Sequence, residues 1–482
     1  MSGFPFLVLI GGIPLVGSVV VAAVPAGRTL LAKQLALVFA LATLVATIVM
    51  CGAFDTHSGD RFQFTNSWVW IKAFGVDFAL GVDGIALVLI ALVAVLVPAV
   101  VIASWNDDQP PRDDLAVAER PREGRPGAEP ARQSPRTFFS LLLLLEVMLV
   151  GVFAATDVFL FYVFFEAMLI PMYFIIGRFG GPRRQYAAVK FFLYSLFGGL
   201  LMLAAVIGLY FATDQRTFSF EKLVAAGIDP GVQRWLFLGF FIAFAIKAPL
   251  VLVLSVVGIL YAALLAMGQK DMKRLVAYTS VAHFGFIGLG IFAFTTQGMS
   301  GAVFYMVNHG LSTGALFLVV GVLVARGGSR MISDYGGVAT VAPLIGGTFL
   351  LAGLSSLALP GMSTFVSEFL VLVGTFSRHR VYAVIATVGI VFAALYILLL
   401  VQRTMHGPPT GLAALPGRFK DLTAREALAL VPLLALVIFL GFYPKPMLDV
   451  ITPAVQRTMQ DAHQTDPNPT AGVNAESNGG TR

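Results

Sequence analysis

Charged residues are scarce in this 482-residue chain, because Asp, Glu, Lys and Arg together make up only 12% of it. A soluble domain carries about 25% charged residues, so this sequence cannot supply the polar surface of several soluble domains. Hydrophobic residues make up 58% of the chain. The composition therefore excludes a water-soluble protein and predicts one that resides in a lipid bilayer.

Cysteine and the motifs of cofactor sites are also scarce. The single cysteine, Cys51, excludes an intrachain disulfide. The sequence has no GxGxxG after a strand, no GxxxxGKS/T, no CxxC, no HExxH and no His-rich haem spacing. We therefore expect the chain to bind no nucleotide, metal or iron–sulfur cluster. The net charge of +6 comes from basic residues scattered between apolar runs, so we expect no nucleic-acid partner.

Long apolar runs recur at lengths that fit helical membrane crossings. A crossing needs about 20 apolar residues, and these runs do not alternate at period two, which favours helices over a β-barrel. The run 235–268 is about 50 Å long as a helix, too long for one straight crossing, yet it has no polar turn to make two. We predict an all-α polytopic membrane protein with about twelve transmembrane helices, near residues 4–24, 31–52, 79–104, 137–155, 157–177, 187–213, 235–268, 274–296, 300–325, 342–374, 381–402 and 426–444.

Polar segments divide the chain. Segments 105–136 and 456–482 can bury little apolar area, so we predict a disordered loop and a disordered tail. The remaining segments are the N-terminal helices 1–104, two helical halves at 137–250 and 251–402, and a C-terminal helix with its flanks at 403–455. Lys and Arg concentrate in alternate loops, which places 105–136 in the cytoplasm and both termini outside.

Ionisable residues inside predicted helices are candidates for function, because a charge at the centre of a membrane helix costs at least ~2.5–3.5 kcal/mol. Glu166, Lys247 and Glu368 are flanked by apolar residues on both sides and cannot easily reach water. Lys247 lies two residues before Pro249, and Glu368 follows Pro360. Charges at interrupted helices in both halves are typical of transport sites. The full set of candidates is Glu146, Glu166, Lys190, Lys247, His283, His309 and Glu368.

Structural alternatives exist for three of these candidates. Lys190 lies near Arg183 and Arg184 at the start of its span, so it either lines a channel or extends to the lipid headgroups. His283, taken alone, fits an interior hydrogen-bonding histidine as well as a proton carrier. Glu146 either carries protons or bonds a neighbouring helix.

Several runs around these residues resemble one known family. They are similar to the M-type antiporter-like subunits in the membrane arm of bacterial NADH:quinone oxidoreductase (complex I), which are related to Mrp-type cation/proton antiporter subunits. The resemblance covers about residues 60–455, and Glu368 favours the M type because the L and N types carry a lysine there. The matching runs are FEAMLIPMYFIIGRFGG, YAAVKFFLYSLFGGLLML, FAFAIKAPL, QKDMKRLVAYTSVAHFGFIGLGIF, MVNHGLSTGALFLVVGVL, LPGMSTFVSEFLVL and LLALVIFLGFYPKPMLD.

The resemblance implies a fold of fourteen helices with two inverted, antiporter-like repeats, each containing a broken helix. It implies that Glu166 and Lys247 form the acid–lysine pair of an input half-channel. His283 and His309 would belong to a hydrated central axis. Glu368 would be the terminal proton carrier of the output half.

The resemblance also implies roles for the remaining residues and for partners. Glu146 would be a second membrane acid of the family, and Lys190 a lysine near the channel. NADH, FMN, iron–sulfur clusters and quinone would be bound by partner subunits. L-type and N-type subunits would be neighbours of this chain in the bacterial inner membrane.

One junction departs from the family pattern. After FAFAIKAPL the family continues with a segment of HxWLPDAH type and a helix with a second buried lysine, whereas here Val251 directly follows Leu250. The segment that is missing here is long enough for two membrane crossings. Either the chain has a real internal deletion, or this sequence lacks a segment. Three functions follow: a proton-translocating subunit, a non-pumping structural subunit of complex I, and an Mrp-like Na⁺/H⁺ antiporter subunit.

Overall fold

The computed structural model describes residues 4–106, 134–181, 183–245, 252–415, 417 and 419–467. The chain divides into two compact units, Met1–Lys247 with Thr423–Ala429, and Ala248–Leu422 with Leu430–Arg482. Lys247, the junction at Leu250 and most of the two segments predicted to be disordered lie outside the described residues.

The first unit contains helices and one β-hairpin. Strands β1 (Gln63–Ile71) and β2 (Val76–Val82) pair antiparallel, and Gly75 between them has the positive φ that glycine adopts without strain. Asp83 and Asp157 accept hydrogen bonds from backbone N–H groups at the starts of the two helices that follow them. The helices are α1 (Phe6–Ala23), α2 (Thr29–Ala53), α3 (Gly84–Ala103), α4 (Pro135–Ala154), α5 (Val158–Ala167), α6 (Leu169–Phe179), α7 (Arg184–Phe211), α8 (Phe220–Ala225) and α9 (Pro230–Ala245).

The second unit is helical apart from a two-residue pairing of β3 (Tyr335–Gly336) with β4 (Thr410–Gly411). Asp271 and Thr295 cap the helices that follow them. The helices are α10 (Leu252–Met267), α11 (Met272–Phe292), α12 (Thr296–Gly327), α13 (Val338–Val341), α14 (Pro343–Ser356), α15 (Ser363–Arg378), α16 (Arg380–Met405), α17 (Ala424–Phe442, with its first residues in the other unit) and α18 (Lys445–Asp461).

Ten helices in the described part of the chain are long and apolar enough to cross a membrane, counting α5 and α6 as one. This confirms the predicted all-α polytopic membrane fold. The run 235–268, predicted as one long span, instead contains α9 and α10. Each of them has 16 residues, about 24 Å of helix against a ~30 Å hydrocarbon core.

Two predicted boundaries are wrong. The span near 79–104 is predicted to begin as a helix, but β2 continues to Val82 and the helix begins at Gly84. Large apolar side chains alternate with smaller or polar ones along β2, and aromatic rings pair across the hairpin, so a strand is favoured over a helix there. The tail was expected to be polar and disordered from residue 456, but α18 continues to Asp461. Its buried face, including Ile451 and Val455, packs against α12 and outweighs the polar composition.

Both units contain a broken helix. Pro171 has no N–H to bond the carbonyl of Ala167, and α5 ends at Ala167 while α6 begins at Leu169. In the second unit α14 ends at Ser356 and α15 begins at Ser363, with Pro360 in the connection. Two residues of that connection, Ala358 and Gly361, have positive φ values of 57° and 94°, so the backbone leaves the helical conformation there.

Small residues bring α12 and α15 close together. A Cβ at Gly374 of α15 would lie 2.6 Å from the Cα of Gly298 in α12. A Cβ at Gly301 would lie 2.8 Å from the backbone nitrogen of Val371. Close backbone approach of this kind is the main packing device between helices in lipid. It holds the second half of the broken helix against α12.

We expect Gly374→Ala to destabilise the protein by about 1–3 kcal/mol, because the added methyl group meets backbone that cannot move aside. The measurement is thermal unfolding of the full chain in detergent. Gly347→Ala is the control, since a Cβ at that position of α14 has nothing within 4 Å. Equal stability of the two variants would show that the α12–α15 approach is not tight.

Candidate functional site

The connection between α14 and α15 interrupts the helical hydrogen-bond pattern, and polar side chains bind backbone carbonyls on both sides of it. Asn308 of α12 donates from Nδ2 to the carbonyl of Ser363 at 3.0 Å and to Oγ of Ser367 at 2.6 Å. The hydroxyl of Thr364 donates to the carbonyl of Ser355. Nε2 of His283 in α11 lies 3.1 Å from the carbonyl of Ser356. The break is therefore lined by a buried polar cluster.

Two of the predicted histidines form a direct pair. Nδ1 of His283 lies 3.1 Å from Nδ1 of His309 in α12, and Oγ1 of Thr313 lies 3.0 Å from the same atom of His309. A carbonyl can only accept, so Nε2 of His283 donates to Ser356. In neutral His283, Nδ1 is then the acceptor, and His309 donates to it. The Ser356 carbonyl thereby assigns the tautomers of both rings.

Glu368 is bound by a tyrosine. The hydroxyl of Tyr305 in α12 donates to Oε1 of Glu368 in α15 at 2.5 Å, the length of a charge-assisted hydrogen bond. Glu368 is 4% exposed and Tyr305 is fully buried. The Tyr305 ring also lies 5.6 Å, between centroids, from the ring of His283. Tyr305 therefore stands between the histidine pair and the acid.

Sequence analysis missed Tyr305 and a second tyrosine. Tyr305 lies four residues before His309 and so on the same helix face, which is the one signal that marks it. Tyr396 of α16 is buried close enough to Glu368 to interact with it electrostatically, and its hydroxyl has no hydrogen-bond partner among the described residues. In an apolar helix, a tyrosine is indistinguishable from a packing residue by sequence alone.

In the first unit, Glu166 and Glu146 occupy separate helices. The carboxyl group of Glu166 in α5 lies directly against Gly199 of α7, where any Cβ would overlap it. Glu146 of α4 is fully buried, and neither of its carboxyl oxygens has a hydrogen-bond partner among the described residues. Lys33 of α2, inside the predicted span 31–52, is buried at 6% exposure.

Lys190 lies apart from Glu166. It is exposed in the second turn of α7, nine residues before Gly199, and its Nζ lies 5.9 Å from the ring centroid of Tyr194. Its position fits the alternative in which it extends to the headgroups. Lys247, the expected partner of Glu166, lies outside the described residues. Across the described residues no group of three or more His, Cys, Asp and Glu side chains could hold a metal ion.

Known families match the chain in sequence. A sequence model of the family described as NADH:quinone oxidoreductase/Mrp antiporter matches residues 155–253 and 248–393. NADH-quinone oxidoreductase subunit M of Mycobacterium tuberculosis is 45% identical, over 97% of this chain and 96% of that protein. The protein of the same name from Rickettsia conorii is 32% identical, over 90% of this chain and 93% of its own length.

Solved structures match the fold. A chain of respiratory complex I from Thermus thermophilus with bound NADH has a TM-score of 0.81 and 26% identity, over 94% of this chain and 99% of that one. A chain of the Mrp complex from Dietzia sp. has a TM-score of 0.74 and 19% identity, over 93% of this chain and 51% of that one. At this identity the match shows a likeness of fold alone. The chain therefore belongs to the NADH:quinone oxidoreductase/Mrp antiporter family of membrane proteins.

Proposed function

We propose that this chain is the proton-translocating M-type membrane subunit of a bacterial NADH:quinone oxidoreductase. The identity of 45% to a subunit M over nearly the whole length supports this assignment. The observation that carries the proton-transfer role is the buried cluster of His309, His283, Tyr305 and Glu368, in which hydrogen bonds join polar groups inside apolar helices. Such groups are expensive in a membrane and are characteristic of proton pathways.

The proposed proton movement in the second unit begins at the histidine pair. His309 donates from Nδ1 to Nδ1 of His283, so a proton that reaches His309 can pass along this bond. His283 then holds two N–H groups, one of which stays on the Ser356 carbonyl. The positive charge on His283 would favour the ionised form of Glu368 next to Tyr305. Release of a proton from Glu368 is thereby coupled to proton transfer from His309 to His283.

In the first unit we propose that Glu166 and Lys247 act as the charge pair that receives energy from neighbouring subunits. Two opposite charges about 4 Å apart interact by roughly 4 kcal/mol at an effective dielectric constant of 20. Moving one charge against 100 mV costs about 2.3 kcal/mol. The interaction energy that is lost and regained when such a pair opens and closes is therefore larger than the cost of moving one proton against this potential. Glu146 is proposed as a second proton-carrying acid of this unit.

Several finer assignments belong to the same proposal. L-type and N-type subunits would be neighbours in the membrane arm, and NADH, FMN, iron–sulfur clusters and quinone would be bound by other subunits. The chain would act as part of a translocase without a redox centre of its own. It would lie in the inner membrane with both termini outside, as the distribution of Lys and Arg between alternate loops indicates.

A second candidate is a structural subunit that does not pump. Its support is the junction between α9 and α10, where the family match is split into the two ranges 155–253 and 248–393. The alignment to the Mycobacterium tuberculosis relative also runs over 538 positions, more than the 482 residues of the chain. Both facts fit the missing segment at this junction, which in the family carries the second buried lysine, whether the deletion is real or this sequence lacks the segment. The Mrp-like antiporter alternative is supported by the family model, which covers both kinds of protein, and by the likeness of fold.

Replacement of the charge pair separates the two candidates. We expect Glu166→Gln and Lys247→Ala each to abolish the part of quinone-linked proton pumping that depends on this subunit. The measurement is the number of protons moved per NADH oxidised by the assembled complex in proteoliposomes. Glu221→Gln, at an exposed acid of α8, is the control and should keep the native ratio. A native ratio in both test variants would identify the chain as a non-pumping subunit.

Removal of one hydroxyl group tests the second-unit cluster. Tyr305→Phe deletes the 2.5 Å bond to Glu368 and leaves the ring packing in place. A hydrogen bond to a charged group contributes about 1.5–3 kcal/mol, so we expect the part of proton pumping that depends on this subunit to slow by roughly 10- to 150-fold. Tyr261→Phe is the matched control, because Tyr261 of α10 is 61% exposed. Proton flux in liposomes at fixed NADH turnover is the readout, and native flux in Tyr305→Phe would exclude Tyr305 from the pathway.

A further inference from the structure

A large groove opens on the first unit between α4, α6 and α7. Its volume is about 1090 Å³, at the upper end of the ~300–1,000 Å³ of small-molecule sites. Apolar side chains form most of its wall, and two cations, Arg183 and Lys190, lie on it. Both cations and the neighbouring Tyr186 and Tyr194 are exposed. We call this feature the α4–α7 groove.

The groove runs from one membrane face to the middle of the bilayer. Phe138 near the start of α4 contacts Phe179 at the end of α6, with ring centroids 5.2 Å apart, so these helix ends lie at the same face. Arg183 lies at that face, immediately before α7. The deepest wall residues, Leu149 and Met168, are about 15–20 Å further along their helices at ~1.5 Å per residue. One leaflet of the hydrocarbon core is about 15 Å thick.

In the second unit a described helix covers the corresponding part of the long helix α12, whereas in the first unit the described residues leave that part of α7 open. In the second unit α15 packs along the N-terminal half of α12, as Gly301 against Leu370 shows. In the first unit α9 packs on the C-terminal half of α7, where Gly239 meets Ala205. Among the described residues, no second-half helix lies on the N-terminal half of α7 at the groove. Across the described residues the apolar wall of the groove is therefore open.

We propose that the α4–α7 groove binds an anionic phospholipid. The phosphate would lie on Arg183 and Lys190, and an acyl chain would follow the wall from Met172 to Leu149 and Met168. Lys190 is six residues into α7, about 9 Å from its start, and helical side chains lean toward the N-terminus, so Lys190 reaches toward Arg183. Basic pockets between membrane helices are suited to such headgroups. This proposal is independent of the proton pathway.

The first experiment measures lipid binding to the purified full chain. The chain is titrated with phosphatidylglycerol or phosphatidylcholine, and native mass spectrometry quantifies the bound lipid. Each removed cation should weaken phosphatidylglycerol binding about fivefold, so Arg183→Gln with Lys190→Gln should weaken it roughly 30-fold. Arg178→Gln is the control, because this exposed arginine ends α6 but does not line the groove. Equal binding of the two lipids, or an equal loss in Arg178→Gln, would overturn the proposal.

The second experiment locates the lipid in the assembled complex. Phosphatidylglycerol with a photoreactive acyl chain should label peptides that contain Leu149 and Met168. Ala187→Trp should block this labelling without changing charge, because Ala187 lies on the groove wall and is exposed. Absence of labelling in the native complex would mean that a neighbouring subunit covers the groove, and the proposal would then be wrong.

Discussion

The absence of water in the bilayer core is the constraint on which this structure depends, because every buried polar group there must find its partner within protein. The break between α14 and α15 shows how the chain meets this requirement. Its carbonyls at Ser355, Ser356 and Ser363 are bound by Thr364, His283 and Asn308. A buried carbonyl left without any partner in such surroundings would cost several kcal/mol.

One side chain, His283, both binds a carbonyl of the break and belongs to the proposed proton pathway. The Ser356 carbonyl accepts from His283, which determines how His283 and His309 share their hydrogen bond. Tyr305 lies on the same face of α12 as His309 and donates to Glu368. A helix interruption therefore serves two purposes in this unit, since it brings carbonyls to the histidines and holds an ionisable acid against a hydroxyl.

The first unit meets the same constraint less completely. Its broken helix is short, because Pro171 interrupts a single turn between α5 and α6. The carboxyl group of Glu166 packs against the smallest possible neighbour, Gly199, and Glu146 has no hydrogen-bond partner in the described part of the chain. The open α4–α7 groove lies on the same helices. The N-terminal half of α12 is covered by α15, whereas the described residues leave that of α7 open along the groove.

The helical membrane fold and most candidate acids and histidines could be predicted from sequence, because apolar run length and charge in an apolar run are local properties. Glu368, His283 and Glu146 are buried as their flanking residues indicate. The β-hairpin before α3 was missed, since strand pairing overrides composition there. The length of the run 235–268 already exceeds one straight crossing, and the run contains most of α9 and all of α10.

The sequence by itself determined that this protein resides in a lipid bilayer and which of its ionisable residues are buried there. Only the tertiary structure decided which of those groups act together. His283 and His309 are 26 residues apart in sequence and 3.1 Å apart in space, and Tyr305 and Glu368 are separated by 63 residues and one hydrogen bond. Hydrogen bonds depend on distance and direction between helices, and neither quantity is encoded in the hydrophobicity of a single run.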